Sequence, residues 1–157
     1  MKKHLATETD KLGNIVEVMQ CDSITEVPQL YSFFLRQNAD MIDSKLAYPM
    51  ITWEDTDGAV YVTQDDKILG HIVYSLGGPS KRASVIWITL SAVDINCRNR
   101  GIYTIMHKYF EQIGRDNGCT SMSSLVHKQN STRLKSAEKV GMIAVFNYMY
   151  KDITLAQ

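Results

Sequence analysis

No stretch of this 157-residue chain stays apolar for the roughly 18–20 residues that a membrane span needs, so no helical span is expected. Charge of one sign is missing as well: 17 Lys and Arg meet 17 Asp and Glu, a formal net charge of +0. Proteins that grip a nucleic-acid backbone usually carry a basic excess, so nucleic acid is not an expected partner. Cysteine is scarce. Cys21, Cys97 and Cys119 are odd in number, far apart and in no C-x-x-C arrangement, which points away from a zinc knuckle and from a disulfide framework. His4, His71, His107 and His127 lack H-x-x-x-H spacing, so no metal site is expected. With three prolines and nine glycines there is no linker-like tract, low-complexity segment or internal repeat. Met1, Lys2, Lys3 and His4 begin as a signal peptide does, but residues 7–11 are polar and charged where an apolar segment should follow. The expectation is a cytoplasmic, unprocessed chain.

What is present is ordinary for a folded protein: 45% hydrophobic and 22% charged residues. The length fits one domain, 1–157, able to bury about two-thirds of the surface its unfolded form exposes. Residues 14–20 suit a first strand. Val27, Leu30, Tyr31, Phe34 and Leu35 then repeat as one helix face, with Pro28 tolerable only in a first turn near Thr25 or Glu26. A shorter helical stretch is expected at 39–47, closed by Pro49. Residues 59–64 alternate as a strand, Asp65 and Asp66 turn, and 68–76 return as its hairpin partner. A loop at 77–80 leads to a more central strand at 83–93. Ile102, Met106, Tyr109, Phe110 and Ile113 make a second helical stripe, stopped by Asn117 and Gly118. A strand at 119–127, a helix at 131–140 capped by Asn130 or Ser131, and a closing strand at 142–153 complete the reading. The order β-α-α-β-β-β-α-β-α-β is that of an α+β fold with mixed α/β layers.

The chemistry concentrates where the 83–93 strand ends and Arg100, Gly101 and Ile102 open the next helix. Strand, glycine turn and helix N-terminus together make an anion site, because free N–H groups and the positive end of the helix dipole face the turn. Arg98 and Arg100 add cations, and Gly101 lets the backbone approach a ligand closely. On these residues alone, a turn glycine beside a solvated arginine face explains the segment equally well.

Arg98-Asn99-Arg100-Gly101-Ile102-Tyr103 resembles the R/Q-x-x-G-x-G/A acyl-CoA motif of the GNAT N-acetyltransferase superfamily. Val93 stands where that family ends its fourth strand on an apolar residue. Val126 and Asn130 match its V-x-x-x-N pattern, and Val140-Gly141-Met142 its closing L-G-F. Residues 64–70 look like its second hairpin, so the resemblance spans roughly 14–153 and is strongest over 92–142.

The resemblance implies a GNAT-like, mostly antiparallel twisted sheet with a splayed central strand pair and flanking helices. It implies acetyl-CoA as cosubstrate and an N-acetyltransferase in which a primary amine attacks the thioester directly. Leu90, Ser91, Ala92 and Val93 become the cofactor-facing strand end, pairing with the pantetheine arm and polarising the thioester carbonyl. Arg98, Asn99, Arg100, Gly101, Ile102, Tyr103 and Asn130 complete the cofactor site. The partner is a small-molecule or protein amine, with a homodimer left open. Two positions depart from the family: Tyr103 replaces a small residue, and Ala137 stands where many members have the tyrosine that protonates the leaving thiolate.

Ser136 is the candidate acid, although one step around a helix turns a side chain by about 100°. His127 is the candidate base, having a suitable intrinsic pKa. His71 and Tyr74, three apart on one strand, point to opposite faces. Glu54, Asp55 and Asp57 read as a solvated loop, Trp53 and Trp87 as core or groove wall, Tyr148 and Tyr150 as packing residues, and Cys97 as a loop bystander. The alternative to an enzyme is a weak or inactive acyl-CoA-binding or interaction module, motivated by Ala137 and Tyr103. A small regulator unrelated to CoA is the third reading.

Overall fold

The computed structural model describes residues 1–44, 57–77 and 84–144. Among these residues six strands lie side by side in chain order: β1 (Lys3–Thr9), β2 (Ile15–Cys21), β3 (Gly58–Gln64), β4 (Lys67–Leu76), β5 (Val85–Val93) and β6 (Ser121–Ser124). All neighbours are antiparallel except β5 and β6, which run parallel and are therefore joined by a crossover helix, α2 (Ile102–Asp116). Helix α1 (Pro28–Asp43) precedes β3 and α3 (Ser131–Lys139) follows β6.

Each sheet face has its own core. Leu30, Phe33 and Phe34 of α1 pack with Tyr61, Val73 and Leu90 on one side. Met106, Phe110 and Ile113 of α2 pack with Val60, Ile72, Tyr74, Ile86 and Ile88 on the other. β5 serves both faces through a bulge. Tyr74 pairs with Ile88 and Val73 with Leu90, leaving Thr89 as the extra residue. A bulge shifts the two-residue alternation by one, so Ile86 and Ile88 face α2 whereas Leu90 and Ala92 face α1.

Several expectations are corrected. Strand β1 was not anticipated: its side chains are mostly exposed, so alternation of buried positions is weak. A short 3-10 turn, Ile24–Glu26, precedes α1, and Pro28 occupies its first turn, where an N–H would be unpaired anyway. α1 is continuous through Asp43 rather than interrupted before 39, and the remainder of the expected 39–47 helix lies outside the described residues. Its buried face includes Phe33, while Leu35 is exposed. β6 spans four residues, much less than 119–127. Residues 142–144 form no strand; the rest of the closing strand and most of the 77–80 loop are outside the described residues. The 64–67 turn is tight: Asp65 and Asp66 both have positive φ (48° and 61°), the conformation a two-residue hairpin requires.

Candidate functional site

The ends of β1, β3 and β5 and the starts of β2, β4 and α2 meet at one end of the sheet. There the parallel β5–β6 pairing stops at Ile88 and Ser124, immediately before the Thr89 bulge. From Thr89 to Val93 the β5 edge that faced β6 has no strand partner among the described residues. Leu90, Ser91, Ala92 and Val93 thus keep their β4 pairing on one edge and offer backbone N–H and C=O groups on the other.

Beyond Val93, Asp94 caps a 3-10 turn (Ile95–Cys97) by accepting from the Asn96 N–H at 2.9 Å. Asn99 and Gly101 both have positive φ, 65° and 83°. Gly101 is the N-cap of α2 and supplies no side-chain cap, so the N–H groups of the first turn, including those of Ile102 and Tyr103, are left for a ligand. A Cβ on Gly101 would come within 3.1 Å of the Lys11 side chain, which lies over the turn.

Lys11 comes from the β1–β2 hairpin, and its N–H donates to the Arg100 carbonyl at 3.0 Å. Next to it the Asp10 carboxylate, buried, takes bonds from the Leu12 and Asn14 N–H groups and from the Asn14 side chain. Arg100 Nε donates to Asp10 at 2.5 Å and its Nη2 to Gln64 Oε1 at 2.6 Å. Burial pushes the Asp10 carboxyl up, but the bonds from Asn14, Arg100 and Leu12 outweigh it and hold the group well below the carboxylate range. Arg100 is therefore committed to the protein, whereas Arg98 is exposed. Cys97 is buried, with its sulfur 3.7 Å from Arg100 Nη1.

On α3, Asn130 Oδ1 caps the helix by accepting from the Arg133 N–H at 3.1 Å, leaving Nδ2 to donate elsewhere. Ser136 Oγ donates to the Thr132 carbonyl at 2.9 Å, so its proton is engaged within its own helix. Ala137 is buried. His127 lies three residues past the end of β6, and its Nδ1 accepts from the Gln129 N–H at 3.2 Å. His71 and Tyr74 occupy opposite faces, and both are buried: His71 against Phe33 and Phe34, Tyr74 against Phe110. Trp87 is half-buried, and Glu54, Asp55, Trp53, Tyr148 and Tyr150 lie outside the described residues.

Three residues were missed by sequence reasoning. Asp57, expected in a solvated loop, is buried at the bulge, where Thr89 Oγ1 donates to its carboxylate at 3.4 Å. Lys11 precedes every recognised motif piece. Arg133 lies between Asn130 and Ala137 but carries no pattern of its own; its Nε donates to Ser91 Oγ at 2.9 Å.

A model of the acetyltransferase (GNAT) family matches residues 24–142. A search of curated proteins finds no sequence that matches. Among solved structures, the aminoglycoside N-acetyltransferase AAC(6')-Iy in complex with CoA is similar at 16% identity and a TM-score of 0.65, over 86% of this chain and 97% of that one. An aminoglycoside acetyltransferase from an uncultured soil metagenomic sample, in complex with sisomicin, is similar at 14% identity and a TM-score of 0.63, covering 87% and 97%. An integron cassette protein from the mobile metagenome of V. cholerae gives 18% identity and a TM-score of 0.65, covering 90% and 95%. At these identities the likeness is one of fold.

Proposed function

The chain belongs to the GNAT acetyltransferase family, and from that premise we propose that it transfers the acetyl group of acetyl-CoA to a primary amine. Acetyl-CoA is the cosubstrate this family uses. The reading rests on one observation: among the described residues the β5 edge loses its partner at the Thr89 bulge and leads, within a short turn, to the uncapped N-terminus of α2. Such a path offers an extended arm a row of backbone partners and its phosphates a cluster of free N–H groups.

The residues fit that occupant. Leu90, Ser91, Ala92 and Val93 would hold the arm and aim an N–H at the thioester oxygen, where negative charge develops during attack. Asn99, Gly101, Ile102 and Tyr103 would hold the pyrophosphate, with Arg98 and Lys11 adding screened attraction, and Asn130 Nδ2 would donate from the α3 side. Arg100 would act indirectly by fixing the turn through Asp10 and Gln64. A thiol of pKa about 8.5 leaves readily, so positioning contributes more than acid catalysis does. Ser136 would have to turn from Thr132 before donating a proton. For the base, Asp57 joins His127 as a candidate, since its carboxylate sits at the bulge beside the proposed thioester strand.

The acceptor is open among amines. Aminoglycosides head the panel, because two structural neighbours are aminoglycoside acetyltransferases. The test is thiol release from acetyl-CoA with aminoglycosides, polyamines, amino acids and lysine peptides. Turnover with any amine supports the reading, and comparison of Asp57→Asn with His127→Gln across pH identifies the base. Tight CoA binding without turnover favours the binding-module alternative, for which Ala137 speaks. Neither binding nor turnover removes the function.

A further inference from the structure

Among the described residues, six buried side-chain polar atoms lack a hydrogen-bond partner: Nδ1 and Nε2 of His71, Tyr103 Oη, His107 Nε2, and Nη1 and Nη2 of Arg133. Four of these six belong to Tyr103, His107 and Arg133, and Tyr103 touches both of the others. Tyr103 and His107 are one turn apart on α2, with ring centroids 5.7 Å apart. The Arg133 guanidinium reaches over from α3 and stacks 4.7 Å from the Tyr103 ring centre. Its Nε is tied to Ser91 on the free end of β5. The cluster therefore bridges the two halves of the proposed cofactor path, the unpartnered strand end and the first turn of α2.

This arrangement is costly as it stands. The stack covers the face of the guanidinium but leaves the N–H groups on its edge without acceptors, and no carboxylate pairs with it among the described residues. A buried donor without an acceptor forfeits its hydration, and a charged one forfeits more. Burial lowers the Arg133 pKa from its ordinary value, while Tyr103 biases it upward without an aligned hydrogen bond. His107 supplies no counter-charge. Burial depresses its pKa, and its Nδ1 faces Glu111 at 3.7 Å.

We propose that Arg133 and the Tyr103 hydroxyl, bordered by His107, form a phosphate subsite on the α3 side of the cleft, filled by the pyrophosphate of the cosubstrate. The identity of that occupant rests on the acetyl-transfer reading; the subsite does not. Three donors in one place suit the several acceptor oxygens of a phosphate, and a guanidinium fork matches them two at a time. The uncapped α2 terminus, one residue before Tyr103, adds N–H groups to the same anion. Because the donors are sealed in the free chain, the Tyr103–Arg133 stack is the closed form of the subsite and parts when phosphate enters.

Calorimetric titration of wild type, Arg133→Met and Arg133→Lys with ADP, CoA and pantetheine tests this. Arg133→Met should lose about 10–100-fold in affinity for ADP and CoA. Arg133→Lys should recover part of that loss, and phosphate-free pantetheine should not distinguish the three. Without ligand, Arg133→Met should melt no lower than wild type, since an unpaired buried charge has been replaced by an apolar chain of similar length. Equal ADP and CoA binding by wild type and Arg133→Met overturns the subsite while leaving acetyl transfer intact. A lower melting point for Arg133→Met with unchanged affinity overturns it too, by making the guanidinium a structural brace. Arg133-dependent ADP binding by a wild type that ignores CoA upholds the subsite and removes the acetyl-transfer reading.

Discussion

Arg100 Nε sits 2.5 Å from Asp10 Oδ2, joining the turn before α2 to the tip of a hairpin 90 positions earlier. The Asp10 carboxylate is fully buried and the Arg100 side chain mostly so, which makes the carboxylate depend on its cation. The two arginines beside Gly101 consequently divide their work. Arg100→Ala should lower the melting temperature by stranding the Asp10 carboxylate. Arg98→Ala should leave stability unchanged, reduce CoA affinity by no more than about fivefold, and flatten its decline with salt. The folded-state pKa of Asp10 lies below its ordinary 3.8, so its contribution is present above that value and lost as pH falls beneath it. Asp10→Asn should be less stable than wild type at pH 7, with the difference shrinking below pH 3.8, as urea titrations at several pH values will show.

Gly101 has φ of 83°, which an L-residue adopts at a cost of roughly 1–2 kcal/mol. Gly101→Ala should therefore lower the melting temperature by about 2–8 °C and keep weakened CoA binding. Gly101→Glu adds bulk and a negative charge at the uncapped helix end and should abolish binding. Unaltered calorimetric affinity in a folded Gly101→Glu protein would remove this turn from the site.

Ala137 is buried and cannot donate a proton, and Ser136 is hydrogen-bonded to Thr132. General-acid help is typically worth 10²–10⁴-fold, so Ala137→Tyr should increase turnover at saturating acetyl-CoA if its ring is accommodated. Overpacking should cost about 1–3 kcal/mol of stability, which denaturation will register. A large rate loss in Ser136→Ala would show that the serine leaves its helix bond to serve as acid.

His71 is sealed between α1 and the sheet, and burial pushes its pKa down to about 3. Its folded pKa is depressed while the unfolded ring keeps 6.5, so the unfolded chain binds the extra proton between those values. Stability should be undiminished by this group above pH 6.5 and fall as the pH drops toward 3. His71→Leu should flatten that limb, leaving a smaller slope from His107, whose pKa is lowered in the same direction. An unchanged limb in His71→Leu would assign the acid sensitivity elsewhere.

The α2 stripe was legible because Ile102, Met106, Phe110 and Ile113 all face one core. The β3–β4 hairpin was legible through alternation and its two aspartates. α1 was blurred by adjacent phenylalanines, since Phe33 and Phe34 are both buried and a strict repeat picks only one. Strand β1 was hidden by its exposure at the sheet edge, and β6 by its shortness, since its pairing with β5 ends at Ser124. Among site residues, the Gly101 turn announced itself by local spacing. Lys11, Asp57 and Arg133 did not, because each reaches the cleft through tertiary contacts with residues 32 to 90 positions distant. Hydrogen-bond commitments are equally silent in sequence, which is why Arg98 and Arg100 read as equivalent cations.

The Asp10–Arg100 pair also sets an order of events at birth. At about 5–20 residues per second, Asp10 is made roughly 5–18 s before the arginine that neutralises it. Until then the hairpin tip has an ionised carboxylate and no cation to bury it against. A ribosome-bound chain ending short of Arg100 must keep that tip hydrated, and the first turn of α2 acquires its brace only as the helix itself is being synthesised.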